Sequence, residues 1–360
     1  MKKLLFLLLL FIPFTVKAVE TSARNAILID MDSNRVLYSQ QIHEQKSVAS
    51  ISKIMTAILA CESGKLEDKV TVGDEILKSY GSGVYIKQGE VLTLRDLLLG
   101  LMLRSGNDAA LAIAKYVGGS VDDFISLMNQ KALQIGMEDT IFNNPNGLDE
   151  EAGNYSTAYD MAILTAYAMQ NEDYKKIVST KKYTLKTNMN TYVWTNKHKL
   201  IMNYDYITGG KTGFTKIAKR TLVTTASKNN LNLAVVTLND GNDWEDHINL
   251  FEYGFANFNS YTVLKKGTIK PDDNYYKRYR LYIKNDISYA LSDGEKDSIS
   301  IKYELQKKRT INESDSVGIV KLYFGDTVVR EEPIYVEMNQ TKKEKVGFWK
   351  SLTNWVKNLW

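Results

Sequence analysis

The chain has 360 residues but one cysteine, Cys61, and three histidines, His43, His198 and His247. One thiol excludes an internal disulfide, and so few soft ligands give no reason to expect a zinc centre or other metal site. Cys61 falls in an apolar helical stretch and reads as a small core residue. An excess of one charge is lacking too. Lysine and arginine number 46 against 42 acids, a formal net charge of +4, so a basic nucleic-acid-binding face is not indicated. The apolar run Leu4 to Phe14 is too short for a comfortable membrane span. No Gly-x-Ser-x-Gly occurs, which argues against the common Ser-His-Asp hydrolases. A P-loop would need glycine where Asp205 stands, five residues before Gly210.

What is present starts with a secretory signal over residues 1–18: Lys2-Lys3, the apolar run, then Val16-Lys17-Ala18 as a small-residue cleavage site. No cysteine follows it, so lipoprotein processing is not expected. Losing its three lysines leaves a net charge of +1. Hydrophobic residues make up 44% and charged ones 24%, enough for globular cores in two or three domains.

The stretch Ala49 to Leu59 spaces Ile51, Ile54, Met55, Ile58 and Leu59 as the face of a buried helix. Ser50 stands at its start with Lys53 three residues on, along the same face. A serine hydroxyl is a poor nucleophile until its proton is taken, and a lysine takes it only when neutral. Neutralising an ordinary lysine at pH 7 costs about 4.6 kcal/mol, a cost that burial or a second cation lowers. The bland alternative is an N-cap serine. Ser179 and Lys182 repeat the spacing in a polar setting with no apolar face after it.

Further along, Ala26–Asp30 and Arg35–Tyr38 flank a turn and predict a hairpin. Helices are expected from Leu94 to the break at Arg104-Ser105-Gly106-Asn107, over Ala109–Tyr116, over Val121–Gln134 and from Ser156 to Met169. Strands return at Thr208–Phe214, Thr221–Ala226 and Leu231–Leu238, before a helix beginning at Ile248. Early and late strands thus bracket a helical middle: an antiparallel sheet flanked by helices, with a helical lobe inserted. Period-two alternation at Ile299–Leu305, with similar runs at Arg280–Lys284, Gly318–Phe324 and Ile334–Glu337, predicts a small all-β domain.

Residues 341–360 carry five lysines and one glutamate. On a helical wheel Phe348, Trp349, Leu352, Trp355, Val356, Leu359 and Trp360 share one side, with Lys350 and Lys357 opposite. That pattern predicts an amphipathic helix lying on a membrane surface. The expected domains are a signal at 1–18, a catalytic domain at 19–261, a β-rich domain at 262–340 and an anchor helix at 341–360.

Three short motifs stand in order: Ser50-x-x-Lys53, Ser105-Gly106-Asn107 and Lys211-Thr212-Gly213. Each is common alone, and Ser227-Lys228-Asn229 mimics the second. The first opens an apolar helix, the second ends one and the third lies on a strand, which matches the serine acyl-transfer signature of penicillin-binding proteins and related β-lactamases. The flanking residues Val48–Thr56, Leu103–Ala109, Asn144–Asp149, Tyr155–Asp160 and Gly210–Thr215 resemble the D-alanyl-D-alanine carboxypeptidases among the low-molecular-mass penicillin-binding proteins.

The resemblance covers residues 24–260 and implies an α/β (α+β) fold of DD-peptidase type and a serine carboxypeptidase without cofactor. The substrate would be a peptidoglycan stem peptide ending in D-Ala-D-Ala, with β-lactams as inhibitors. It implies Ser50 as nucleophile, Lys53 as general base, Ser105 as proton relay and Asn107 as positioner. Lys211 and Thr212 would serve the substrate carboxylate, beside Gly213. The main-chain N–H groups of Ser50 and Phe214 would form the oxyanion hole. The signal segment and the amphipathic tail together predict an exported protein at the outer face of the cytoplasmic membrane, peripheral through the C-terminal helix. Asn146 stands where many relatives carry histidine. The arginine many relatives place beyond the third motif is missing around Asp243–His247, leaving His247 or Arg220 for that role. The alternatives are a class A-like β-lactamase, which lacks its Glu-x-x-Leu-Asn segment here, and a non-catalytic wall-binding protein.

Overall fold

The computed structural model describes residues 19–149, 152–272, 275–308, 310–312 and 314–338. A five-stranded antiparallel sheet forms its centre. The strands run in the order Arg35–Gln40, Asn25–Asp30, Leu231–Leu238, Lys219–Lys228, Ile207–Thr215. Alternate residues face opposite ways, so the sheet serves two cores. Ile27, Ile29, Ala234 and Val236 join the helices of the lobe, whereas Leu28, Leu233 and Val235 pack with Leu250 and Phe251. Asn25–Asp30 is buried along its whole length, which is why it reads as a continuous apolar run instead of an alternating one.

The helices are α1 (Lys53–Glu62), α2 (Leu94–Arg104), α3 (Asn107–Gly118), α4 (Val121–Gln134), α5 (Ala158–Ala168), α6 (Glu172–Val178), α7 (Lys199–Asn203) and α8 (Asp243–Asn257). Side-chain caps set the starts of α2, α4, α5 and α6. The Thr93 hydroxyl accepts from the Asp96 N–H at the head of α2, closing a capping box, and the Thr157 hydroxyl accepts from the Asp160 N–H at the head of α5. At its end α2 stops because Ser105 turns left-handed, with φ 63°. That turn aims both Ser105 and the start of α3 into one cleft.

A hairpin of Lys182–Lys186 and Thr191–Thr195 packs on α2. The sequence reading places no strands here, although Lys182-Tyr183-Thr184-Leu185-Lys186 alternates polar and apolar residues; within the hairpin only Leu185 and Trp194 are buried. The C-terminal β domain pairs strands in the order Gly267–Ile269, Tyr279–Ile283, Thr327–Met338, Ser316–Phe324, Ile299–Leu305 around its own apolar cluster. Arg35 ties it to the domain built on the central sheet. Its guanidinium reaches Glu295 and the Ala290 carbonyl, and lies over the rings of Phe258, Tyr289 and Phe324. The expected amphipathic helix and signal segment lie outside the described residues. Among those described, no helix is long and apolar enough to cross a membrane.

Candidate active site

Ser50 sits in a single 3-10 turn, Ala49–Ser52, from which α1 continues at Lys53. The preceding Ala49 holds φ 50°, a left-handed conformation that costs a residue with a Cβ about 1 kcal/mol or more. Gly147 lies against it. A Cβ at position 147 would come 2.1 Å from the Ala49 carbonyl oxygen, so only glycine fits. The loop around Gly147 is tied down by Asp149, whose two carboxylate oxygens accept from Ser47 and Thr215.

Lys53 is fully buried. Its Nζ lies 2.9 Å from Ser50 Oγ and 2.8 Å from Asn107 Oδ1, and also meets the Asn146 carbonyl. The last two groups can only accept. A neutral amine has two N–H bonds and one lone pair; with both N–H bonds committed to these acceptors, the lone pair is left for the Ser50 hydroxyl. Burial first, then the charges of Lys211 and Lys197, hold Lys53 well below the usual lysine range, with Asp108 opposing them. The Asn107 amide is oriented from behind by a 2.6 Å bond from Nδ2 to the Tyr80 carbonyl.

Facing this group, Lys211 Nζ donates to Ser105 Oγ at 3.0 Å and to the Thr212 carbonyl at 2.7 Å. Burial, then the charge of Lys197, pulls Lys211 down to about 7. Lys211 lies on the edge strand Ile207–Thr215, which Gly213 brings against the nucleophile. A Cβ at position 213 would sit 3.1 Å from the Ser50 nitrogen and 2.3 Å from Thr221 Oγ1. Thr212 is half-buried, and Phe214 is 65% exposed at the mouth.

Ser50, Lys53, Ser105, Asn107 and Lys211 therefore converge, linked by hydrogen bonds in two groups. The two candidates for a carboxylate-holding cation do not share this position. His247 is fully buried, and both ring nitrogens are engaged, by Thr224 at 2.7 Å and Thr237 at 3.0 Å. Arg220 is committed to a two-point pair with Asp243. The outside cation that both buried lysines feel is Lys197. Its backbone N–H donates to the Leu103 carbonyl, beside the second motif. Sequence reasoning missed Lys197, because its place depends on the unforeseen hairpin that precedes it. It also missed Asp108, whose carboxylate accepts from the main-chain N–H groups of Val84, Tyr85 and Ile86.

Residues 12–242 match the D-alanyl-D-alanine carboxypeptidase family, and residues 258–342 match the C-terminal domain of penicillin-binding protein 5. The D-alanyl-D-alanine carboxypeptidase DacF of Bacillus subtilis is 31% identical, with 93% of this chain and 90% of that protein covered. Penicillin-binding protein 5 of Haemophilus influenzae superposes with a TM-score of 0.73 at 26% identity, over 89% of this chain and 98% of that one. The Streptomyces K15 DD-transpeptidase gives a TM-score of 0.62 at 30% identity, over 66% of this chain and 99% of that one. With the family matched across most of the catalytic domain and a relative aligned over nearly the full length, the chain belongs to the D-alanyl-D-alanine carboxypeptidases, serine peptidases of the penicillin-binding protein group that act on the cell wall.

Proposed function

We propose that this protein removes the terminal D-alanine from peptidoglycan stem pentapeptides through an acyl-enzyme on Ser50, and that penicillin acylates the same hydroxyl. The observation that carries this reading is the Lys53 amine, buried, depressed in pKa and 2.9 Å from Ser50 Oγ. Ser50 Oγ attacks the carbonyl carbon of the penultimate D-alanine while its proton passes to Lys53 Nζ. The negative charge that develops on the carbonyl oxygen is met by the main-chain N–H groups of Ser50 and Phe214. The C–N bond then breaks as the proton taken up by Lys53 is relayed by way of the Ser105 hydroxyl, held by Lys211 at 3.0 Å, to the departing amine, which leaves Lys53 neutral again. Water hydrolyses the remaining ester and restores the Ser50 hydroxyl.

The leaving residue carries a free carboxylate. Thr212 supplies it a hydroxyl, and Lys211 and Lys197 supply positive potential. In penicillin the amide that is attacked lies in a ring, so the leaving nitrogen stays tethered and the ester persists. The chain is exported by residues 1–18 and held at the outer face of the cytoplasmic membrane by residues 341–360, through Phe348, Trp349, Leu352, Trp355, Leu359 and Trp360. Truncation after Gln340 should move the protein to the soluble fraction with activity kept; continued pelleting with membranes contradicts the anchor.

The reading is tested by incubating the purified protein with a synthetic stem pentapeptide and weighing the products. Loss of one alanine supports it. An intact pentapeptide counts against it, and a cross-linked product in place of the tetrapeptide assigns a transpeptidase.

A further inference from the structure

Ser50 is the second residue of the turn Ala49–Ser52, and the leading N–H groups of a helical turn have no partner within it. Where the Ser50 N–H points is set by the peptide plane it shares with the Ala49 carbonyl. Among the described residues every peptide bond is trans, so this N–H and this C=O point opposite ways. The Ser52 hydroxyl, fully buried, donates to the Ala49 carbonyl at 2.8 Å and so fixes that plane. The preceding plane carries the Val48 carbonyl. Its rotation would change the φ of 50° at Ala49. Thr221 donates its hydroxyl to the Val48 carbonyl at 3.0 Å, and both residues are buried. Thr221 stands opposite Gly213 in the sheet, and its hydroxyl occupies the room that a side chain at Gly213 would need. Among the described residues this is the one hydrogen bond that joins Val48–Ser52 to the central sheet.

The role of these hydroxyls rests on the carboxypeptidase reading, in which the N–H groups of Ser50 and Phe214 meet the developing oxyanion. Both donors must lie about 3 Å from one oxygen. One rides on the turn, the other on the edge strand Ile207–Thr215. Their spacing therefore depends on what holds the turn to the sheet. We propose that Thr221 and Ser52 are positioning residues that aim the Ser50 N–H at the oxyanion, by locking the two peptide planes on either side of the strained Ala49. Both hydroxyls are buried and committed to main-chain carbonyls, so they act through the backbone of Ser50 and not on the substrate. Without either one, the left-handed Ala49 is free to relax and the N–H turns out of line. The loss falls on the transition state, where the oxygen is charged, more than on the bound peptide, where it is a neutral carbonyl.

The test uses the full chain and the variants Thr221→Val, Thr221→Ser and Ser52→Ala. The reporter is the ester carbonyl of the penicillin adduct, whose infrared stretching band moves to higher frequency as the hydrogen bonds to its oxygen weaken. Thr221→Val and Ser52→Ala should each shift this band upward and slow acylation about tenfold, less than the roughly hundredfold that losing an oxyanion donor outright costs. With the pentapeptide the fall should lie in kcat, with KM nearly unchanged. The acid limb of the pH profile should stay in place, because the contacts of Lys53 are untouched. Thr221→Ser, which keeps the hydroxyl, should restore both band and rate. One adduct per chain at saturation reports an intact fold, and if Thr221→Val does not fold, Ser52→Ala carries the same readout. A band that stays in place, with or without a slower rate, or an acid limb that moves, overturns the positioning role and leaves the carboxypeptidase reading standing. Failure of penicillin to acylate the unaltered protein at Ser50 overturns both.

Discussion

The side-chain oxygen of Asn107 lies 2.8 Å from Lys53 Nζ, and the nitrogen of the same amide is held by the Tyr80 carbonyl at 2.6 Å. The amide thus presents only an acceptor to the amine, with no negative charge. A carboxylate in the same place would favour the ammonium form. Asn107→Asp should therefore raise the pKa of Lys53 and shift the acid limb of kcat/KM to higher pH, leaving little activity at neutrality. An unshifted limb would show that Lys53 is not the group titrating there.

Asp108 adjoins that asparagine and clamps the loop that orients it. Its carboxylate accepts from the Val84 N–H at 3.0 Å and the Tyr85 N–H at 2.6 Å. Tyr85 is held at φ 65°, a strained position for an aromatic residue. Removing the acceptor leaves main-chain donors unsatisfied, at about 1–3 kcal/mol each where buried. Asp108→Ala should lower the unfolding free energy by a few kcal/mol, on the order of two such donors, and lower kcat more than it raises KM. Asp108→Asn, which keeps an oxygen, should recover part of both. Full activity in the alanine variant would remove the loop from the positioning of Asn107.

Two buried lysines should also leave a mark on stability. Lys211 titrates at about 7 in the folded chain against 10.5 for the ordinary group. Between those values the unfolded chain binds more protons, so stability rises with pH; below about 7 the cost of charging the buried amine is fully present. Denaturant unfolding followed from pH 7 to 10 should show this rise, at less than about 1.4 kcal/mol per pH unit from this one group. Lys211→Met should lose the Lys211 contribution and flatten the curve. An identical slope in the variant would mean that Lys211 is not depressed in the native protein.

The carboxylate contact separates Lys197 from Arg220. Lys197→Met should raise KM for a substrate with a free C-terminus several-fold, roughly the value of one partly exposed charge pair, and leave KM for the C-terminal amide unchanged, while the pH profile of both substrates moves with the two lysines it depresses. Arg220→Met breaks the pair with Asp243 and should change stability before it changes substrate preference. The reverse pattern would return the role to Arg220.

Much of this site was legible because its chemistry is local. Ser50 and Lys53 lie on one turn, Ser105 and Asn107 on one helix break, and Lys211 to Phe214 on one strand. The fold was legible where burial follows a single period, as in α4 over Val121–Gln134 and the strand Ile299–Leu305. What escaped depends on contacts distant in sequence. Lys197 is placed by a hairpin with two buried side chains, and the Asn146 carbonyl contributes main-chain chemistry that no side-chain pattern records. His247 was a candidate by its sequence position. The core behind the sheet, where Thr224 and Thr237 satisfy both its nitrogens, is visible only in three dimensions.

The central claim is that one hydroxyl, Ser50 Oγ, becomes the acyl ester. Intact-mass analysis of the protein after exposure to penicillin, followed by peptide mapping, tests it most directly. The account predicts one covalent adduct per chain, located at Ser50 and absent from Ser50→Ala. An adduct that persists in Ser50→Ala, or that maps to Ser105 or any other residue, contradicts it.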